Sequence, residues 1–318
     1  MELEPSSTAF IFPGQGSQGI GMGQDLATTY PAAREIFQQA DELLNFALSE
    51  LAWNGPEADL NDTLNTQPAL FVHSVAALKC FEEVVGRFSP AFVAGHSMGE
   101  LSALVAAQAL PFVEALKLVR RRGEVMKQAG ILSPGGMAAI MGLEIPAVEK
   151  ICNAASQGST GPLEIVQVAN DNCPGQVVIS GARQPLERAL GLAVEAGARR
   201  AIPLAVSIAA HSPLMQNAQA DFNQAVEVAP IVDPSTPLVG NVTARPLTKA
   251  SQLRTDLQDQ LTHRVRWTES IQYMVSQGVR TFIEIGNGSV LSGLLKRIDR
   301  EVLTYSCGTP ADLDRLTA

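Results

Sequence analysis

Apolar residues along this chain fall into short continuous runs and longer periodic ones. Residues 9–12 and 91–94 are brief, wholly apolar runs that end at Pro13 and Gly95, the pattern of strands buried within a parallel sheet. Residues 31–51, 67–85, 101–107 and 112–129 read as helices, the third made of small and apolar residues. The texture changes near Ser133-Pro134-Gly135-Gly136. Beyond it the pattern predicts strands at 137–141, 163–168, 176–180 and 198–203, with helices at 145–155 and 185–196. A βαββαβ order within about 70 residues is the split βαβ of a ferredoxin-like fold. Further strands are predicted at 236–239 and 281–285. The expected architecture is α/β: a body formed by residues 8–131 and 204–310, a ferredoxin-like subdomain inserted at 132–203, and a polar tail at 311–318.

Composition narrows the class. A chain of 318 residues, 46% hydrophobic and only 17% charged, can bury a sizeable core. Its longest apolar stretch, 101–113, is interrupted by Ser102 and Gln108, short of the ~18 residues a membrane helix needs. The start, with Glu2 and Glu4, lacks a signal-peptide pattern, so a cytoplasmic protein is expected. The four cysteines are scattered without metal-ligand spacing, which predicts reduced thiols and no metal site. A net charge of −9 counts against nucleic acid or an anionic membrane as partner.

The chemistry concentrates at Gly95-His96-Ser97-Met98-Gly99-Glu100, a G-x-S-x-G pattern between a predicted strand and a predicted helix. That context is a nucleophile elbow, in which a strained turn lifts the serine hydroxyl clear of the sheet. The Met98 N–H, at the helix start, would face an oxyanion. The glycine-rich loop Pro13-Gly14-Gln15-Gly16-Ser17-Gln18 follows a strand but fits neither the Walker pattern nor G-x-G-x-x-G. Its alternative use is to aim a second backbone N–H at the site.

Four histidines compete to be the general base. His73 reads as a partly buried structural residue on a helix, His96 as support for the turn, and His263 as having no special context. His211 follows the apolar run 205–210 and precedes Ser212-Pro213, where α/β bodies present catalytic groups, and is the preferred base. No acid fits the third triad position well: Asp171 falls inside the insert and Glu284 follows His211 in the chain. A carbonyl or amide is therefore expected to orient His211. In Arg120-Arg121-Arg122, helical spacing places Arg122 on the apolar stripe of Ala115, Leu118, Val125, Met126 and Ala129. An arginine there is either a buried structural ion pair or a carboxylate-binding group.

These motifs, with Asn172-Cys173-Pro174-Gly175-Gln176 and the run 206–211, occur in an order that resembles the malonyl-CoA:acyl-carrier-protein transacylases and the related acyltransferase domains of polyketide synthases. Gln260, Trp267-Thr268 and the Ile285-Gly286-Asn287-Gly288 run also fit, so the resemblance spans about residues 8–310. It implies an α/β-hydrolase-like body carrying the ferredoxin-like insert, with the site in the cleft between them. It implies Ser97 as nucleophile, His211 as base, the backbone N–H groups of Gln15 and Met98 as oxyanion hole, Arg122 and Asn172 as substrate-binding residues, and a carbonyl at Gln260 orienting the histidine. It further implies a coenzyme A thioester as substrate and no bound cofactor, with malonyl-CoA and an acyl carrier protein as the partners of a monomer serving fatty-acid or polyketide synthesis. A thioester hydrolase on the same scaffold is the nearest rival, and a non-catalytic docking subunit the more distant one.

The sequence departs from the family pattern twice. Met98 replaces the usual Leu, Val or Ile, and Ala210 stands where Ser or Phe is common. The small Ala210 predicts malonyl preference with some leakage to α-substituted groups. An acidic carrier protein meeting an acidic chain also calls for a local basic strip, with Lys296, Arg297, Arg300, Arg199 and Arg200 as candidates.

Overall fold

Ten strands occur among the residues described by the computed structural model, 3–157 and 164–317. They are β1 (Thr8–Phe12), β2 (Phe92–Gly95), β3 (Gly135–Met141), β4 (Val166–Cys173), β5 (Gln176–Ala182), β6 (Arg200–Pro203), β7 (Leu238–Val239), β8 (Pro246–Leu247), β9 (Thr281–Ile285) and β10 (Leu303–Cys307). Six form a sheet in the order β10-β9-β1-β2-β7-β8, parallel throughout except at the β8 edge. The other four form an antiparallel sheet, β4-β5-β3-β6, which with the helices Ile145–Ala155 and Arg183–Glu195 is the ferredoxin-like arrangement. The fold is thus an α/β-hydrolase-like body with a mostly parallel sheet and an inserted ferredoxin-like subdomain.

Strand β1 shows why the parallel sheet is buried on both faces. Phe10 and Phe12 pack into a cluster with Phe71, Phe81 and Leu101. Ala9 and Ile11, on the opposite face, pack with Trp267, Ile271 and Phe282. Layers of helix cover each side, so the carboxyl ends of β1 and β2 open at the centre of the sheet, the usual place for a site in such folds. Both strands run straight into the two glycine-bearing motifs.

The insert is tied to the body through β4. Asp171 N–H donates to Val265 O (2.9 Å), and Val265 N–H donates back to Ala169 O (2.8 Å). Thr268 Oγ1 donates to the Asp171 carboxylate at 2.6 Å, which gives Asp171 a joining role. β4 carries two register shifts, and along it Asn170 and Asn172 line the cleft while Asp171 between them turns to Thr268.

Three expectations are revised. The helix expected over 31–51 is two, Pro31–Leu44 and Leu48–Asn54, because Asn45 takes a left-handed conformation (φ 53°) and ends the first. The strand expected at 163–168 is β4, which extends to Cys173; Leu163 lies outside the described residues. The expected polar tail is a helix, Pro310–Thr317, because Leu313 and Leu316 share one face and bury it against the body.

Candidate active site

The elbow forms as its glycines require. A Cβ on Gly95 would lie 2.0 Å from the Gly99 backbone, and one on Gly99 would lie 2.3 Å from Phe12 O, so strand, turn and helix meet with no room for side chains. Ser97 sits at φ 52°, a conformation non-glycine residues adopt rarely. The turn is held from outside by Asn241. Its Oδ1 accepts from Ser97 N–H (2.8 Å) and its Nδ2 donates to Gly95 O (2.7 Å).

His211, also left-handed at φ 59°, brings its ring to the serine. Its Nδ1 faces two carbonyls, Gln260 O at 2.9 Å and His263 O at 3.1 Å. Carbonyls only accept, so Nδ1 carries the hydrogen and Nε2 is left to accept from the Ser97 hydroxyl at 2.8 Å. Burial, and then the nearby Arg122 charge, push the imidazole down to about 3 against the pull of the two carbonyls. The ring is therefore neutral and able to take a proton at neutral pH. His263, without special context in the sequence, contributes through its backbone. Asp171 and Glu284 make no hydrogen bond to His211 among the described residues, in keeping with a carbonyl orienter.

Arg122 lies on the helix Phe112–Leu132 with 1% of its surface exposed. Its Nε and Nη2 donate to Gln260 Oε1 (3.2 and 2.9 Å), its Nη1 to Gln67 Oε1 (2.9 Å), and its Nη2 also to Ser97 Oγ (3.0 Å). All three acceptor oxygens are neutral, and among the described residues no carboxylate forms a salt bridge with it. Burial lowers its pKa to about 10, which leaves it charged at neutral pH. A buried cation ringed only by dipoles is electrostatically incomplete. One Nη1 hydrogen has no acceptor among the described residues, so this guanidinium can still grip an anion beside the serine.

The cleft around these groups has a volume of about 510 Å³. Body residues line one wall, and Met137, Asn170, Asn172 and Val178 of the insert line the other. The backbone N–H groups of Gln15 and Met98 have no acceptor among the described residues. The loop carrying Gln15 runs close along the elbow, since a Cβ on Gly14 would be 2.4 Å from His96 O. Two unfilled donors on either side of the serine suit an oxyanion. Asn172 reaches the cleft, but its Oδ1 already accepts from His96 Nε2 (2.8 Å), and His96 stands edge-on to Trp267. That contact accounts for His96 as support for the turn. His73 is fully buried rather than partly so, with Nε2 3.0 Å from Gly308 O. Ala210 lines the cleft beside His211.

Sequence reasoning did not single out Asn241 or Gln67, nor the side chain of Gln260. Asn241 carries a weak signal, as an amide just after the apolar run 237–239, and Gln67 follows Asn65 and Thr66 and carries none; what each one bonds depends on distant chain. Among the described residues, no cluster of His, Cys, Asp and Glu could hold a metal ion, and no helix is long and apolar enough to cross a membrane. All four cysteines are free and buried.

Residues 9–306 match the family model described as the acyl transferase domain. The chain is 44% identical over 309 residues to a malonyl CoA-acyl carrier protein transacylase of Bacillus subtilis, covering 97% of this chain and 96% of that one. An acyl carrier protein S-malonyltransferase from Vibrio cholerae superposes with a TM-score of 0.93 at 42% identity, covering 98% and 99% of the two chains. A malonyl-transacylase solved in complex with a type II polyketide synthase acyl-carrier protein superposes with a TM-score of 0.92 at 40% identity, covering 97% and 98%.

Proposed function

We infer the reaction from one premise: this chain belongs to the acyl transferase domain family. It is an enzyme that transfers a malonyl group from malonyl-CoA to the phosphopantetheine thiol of an acyl carrier protein. Ser97 is the nucleophile. As its oxygen attacks the thioester carbonyl, its proton passes to His211 Nε2, and the tetrahedral oxyanion takes hydrogen bonds from the N–H groups of Gln15 and Met98. The C–S bond then breaks, His211 returns the proton to the coenzyme A sulfur, and malonyl remains as an ester on Ser97. In the second half the carrier thiol gives its proton to His211 and attacks the ester, and Ser97 leaves with that proton.

The observation that carries this reading is Arg122, a buried cation whose acceptors are all neutral and one of which is the Ser97 oxygen itself. The free carboxylate of malonyl completes it, taking the hydrogen now directed at Ser97 and the unused Nη1 hydrogen. Neutralising Arg122 also removes the second cause of the low His211 pKa, so substrate binding strengthens the base it needs. Asn172 serves the acyl pocket by fixing His96 on its wall.

The division into body (8–131 and 204–310) and insert (132–203) belongs to the same proposal, because the cleft takes a wall from each. The substrate is a coenzyme A thioester and no cofactor is called for, since every proton and bond in the cycle is handled by Ser97, His211 and backbone donors. Four buried free thiols fit a cytoplasmic setting. For the carrier protein, Lys296, Arg199 and Arg200 are exposed, and Arg297 binds Gln176 Oε1 (2.6 Å) and Pro174 O (3.0 Å) at the β4–β5 turn. Gly142 N–H donates to Gly175 O in that turn, which brings the Arg199 segment alongside. The basic strip thus gathers at one edge of the insert.

Intact-mass analysis after mixing with malonyl-CoA tests the reading. Wild type is expected to gain one malonyl group and Ser97→Ala none; an adduct on Ser97→Ala would refute the assignment. Methylmalonyl-CoA is expected to acylate more slowly than malonyl-CoA, and equal rates would end the preference assigned to the Ala210 pocket.

A further inference from the structure

Behind the site lies a pair of carboxyl groups that the reaction above does not use. Glu100, in the first turn of the elbow helix, and Asp256, on the helix Ala250–Gln260, are 1% and 2% exposed and lie against each other, with no salt bridge to either among the described residues. Two buried carboxyl groups side by side, with no ion pair to either, keep a proton between them. The Asp256 carboxylate already accepts from Val242 N–H, Thr243 N–H and Thr243 Oγ1, each at 3.3 Å. It is thus the acceptor, and Glu100 is the acid that donates to it. Burial, and then the facing Asp256, raise Glu100 well above the usual carboxylate range.

Glu100 Oε2 accepts from Gln260 Nε2 at 2.5 Å, and the same nitrogen donates to Ser97 O at 3.1 Å. Two acceptors on that side force the amide to turn its nitrogen toward them and its oxygen toward Arg122. Were the amide reversed, N–H groups would face the guanidinium. An ionised Glu100, moreover, would offer Arg122 an internal anion and weaken its hold on a substrate carboxylate.

We propose that Glu100 is a positioning residue that works as a neutral carboxylic acid, locking the Gln260 amide toward Arg122 while leaving the arginine's charge to the substrate. The proposal rests on the reading of Arg122 as the malonyl anchor.

Glu100→Gln and Glu100→Leu test it. A glutamine can accept from Gln260 and donate to Asp256, so kcat and KM for malonyl-CoA should stay within about threefold of wild type. Leucine removes both bonds, and kcat/KM should fall by about 30-fold or more, with KM rising for malonyl-CoA more than for acetyl-CoA. A purely structural role would lower thermal stability without that split between substrates. The infrared difference spectrum of wild type minus Glu100→Gln should show the carbonyl stretch of a protonated carboxylic acid at about pH 8. This arm and the glutamine kinetics decide the matter even if Glu100→Leu fails to fold. A missing band, or a KM change of about tenfold or more in Glu100→Gln, would overturn the proposal. Absence of a malonyl adduct on wild type would overturn the functional reading instead, with the infrared band still deciding the state of Glu100.

Discussion

Glu284 and Arg122 are both buried charged side chains of the same body, yet their surroundings differ in kind. Glu284, at the end of β9, accepts from Leu291 N–H (2.9 Å) and Ser292 N–H (2.7 Å), one to each carboxylate oxygen. It caps the helix Val290–Ile298, whose N-terminal dipole meets its charge, and it faces no cleft. Arg122 has four contacts to neutral oxygens, a hydrogen left over and a cleft in front of it. Burial alone therefore does not mark function. Bonding capacity left unused beside a cavity does, and the unfilled N–H groups of Gln15 and Met98 share that property.

Removing the unfilled group should have the largest effect. With Arg122→Ala the rate of acylation by malonyl-CoA should fall by about 100- to 1,000-fold, while acylation by acetyl-CoA gains relative to it. Stopped-flow release of coenzyme A measures both, and an equal loss for the two substrates would break the contrast. Asn241→Ala loosens the elbow from behind, and should lower kcat about 10-fold with little change in KM. Glu284→Gln should act on stability alone. The melting temperature should fall by about 2–4 °C with acylation kinetics unchanged, and a matching loss of activity would show that Glu284 serves the site.

The smallest effect expected is that of pH. A His211 held at about 3 instead of 6.5 stays neutral as pH falls, so kcat/KM, which reports the free enzyme, should be flat from about pH 7.5 to 5. A histidine at its ordinary value would cost about 30-fold over the same range. A limb near 6.5 in the pH profile would contradict the buried, Arg122-flanked environment.

Much of this was legible where the signal is local. The β2–Ser97–helix unit depends on adjacent residues and glycines that only a tight turn needs, and it was readable as such. Arg122 stands out by sitting on an apolar stripe, and the missing triad acid directed attention to a carbonyl, such as the Gln260 O that lies 2.9 Å from His211 Nδ1. What was not legible is set by contacts across the chain. Asn241 clamps Ser97 from 144 residues away, and Gln67 meets Arg122 from 55. Glu100 could be read as part of the elbow motif, but its protonation follows from Asp256 lying against it in the fold. Asn45 carried a local cue, an asparagine suited to a left-handed helix end, beneath an apolar pattern that ran on past it.

The proposed reaction turns on Ser97 carrying a carboxylated acyl group between two thiols. Its most direct test is a single turnover. Enzyme acylated with malonyl-CoA and freed of excess reagent is mixed either with phosphopantetheinylated carrier protein or with buffer, and both proteins are followed by intact mass. Malonyl should leave the enzyme only when carrier is present and appear on the carrier one for one. Loss at the same rate in buffer alone, with no gain on the carrier, would contradict it and make the protein a hydrolase.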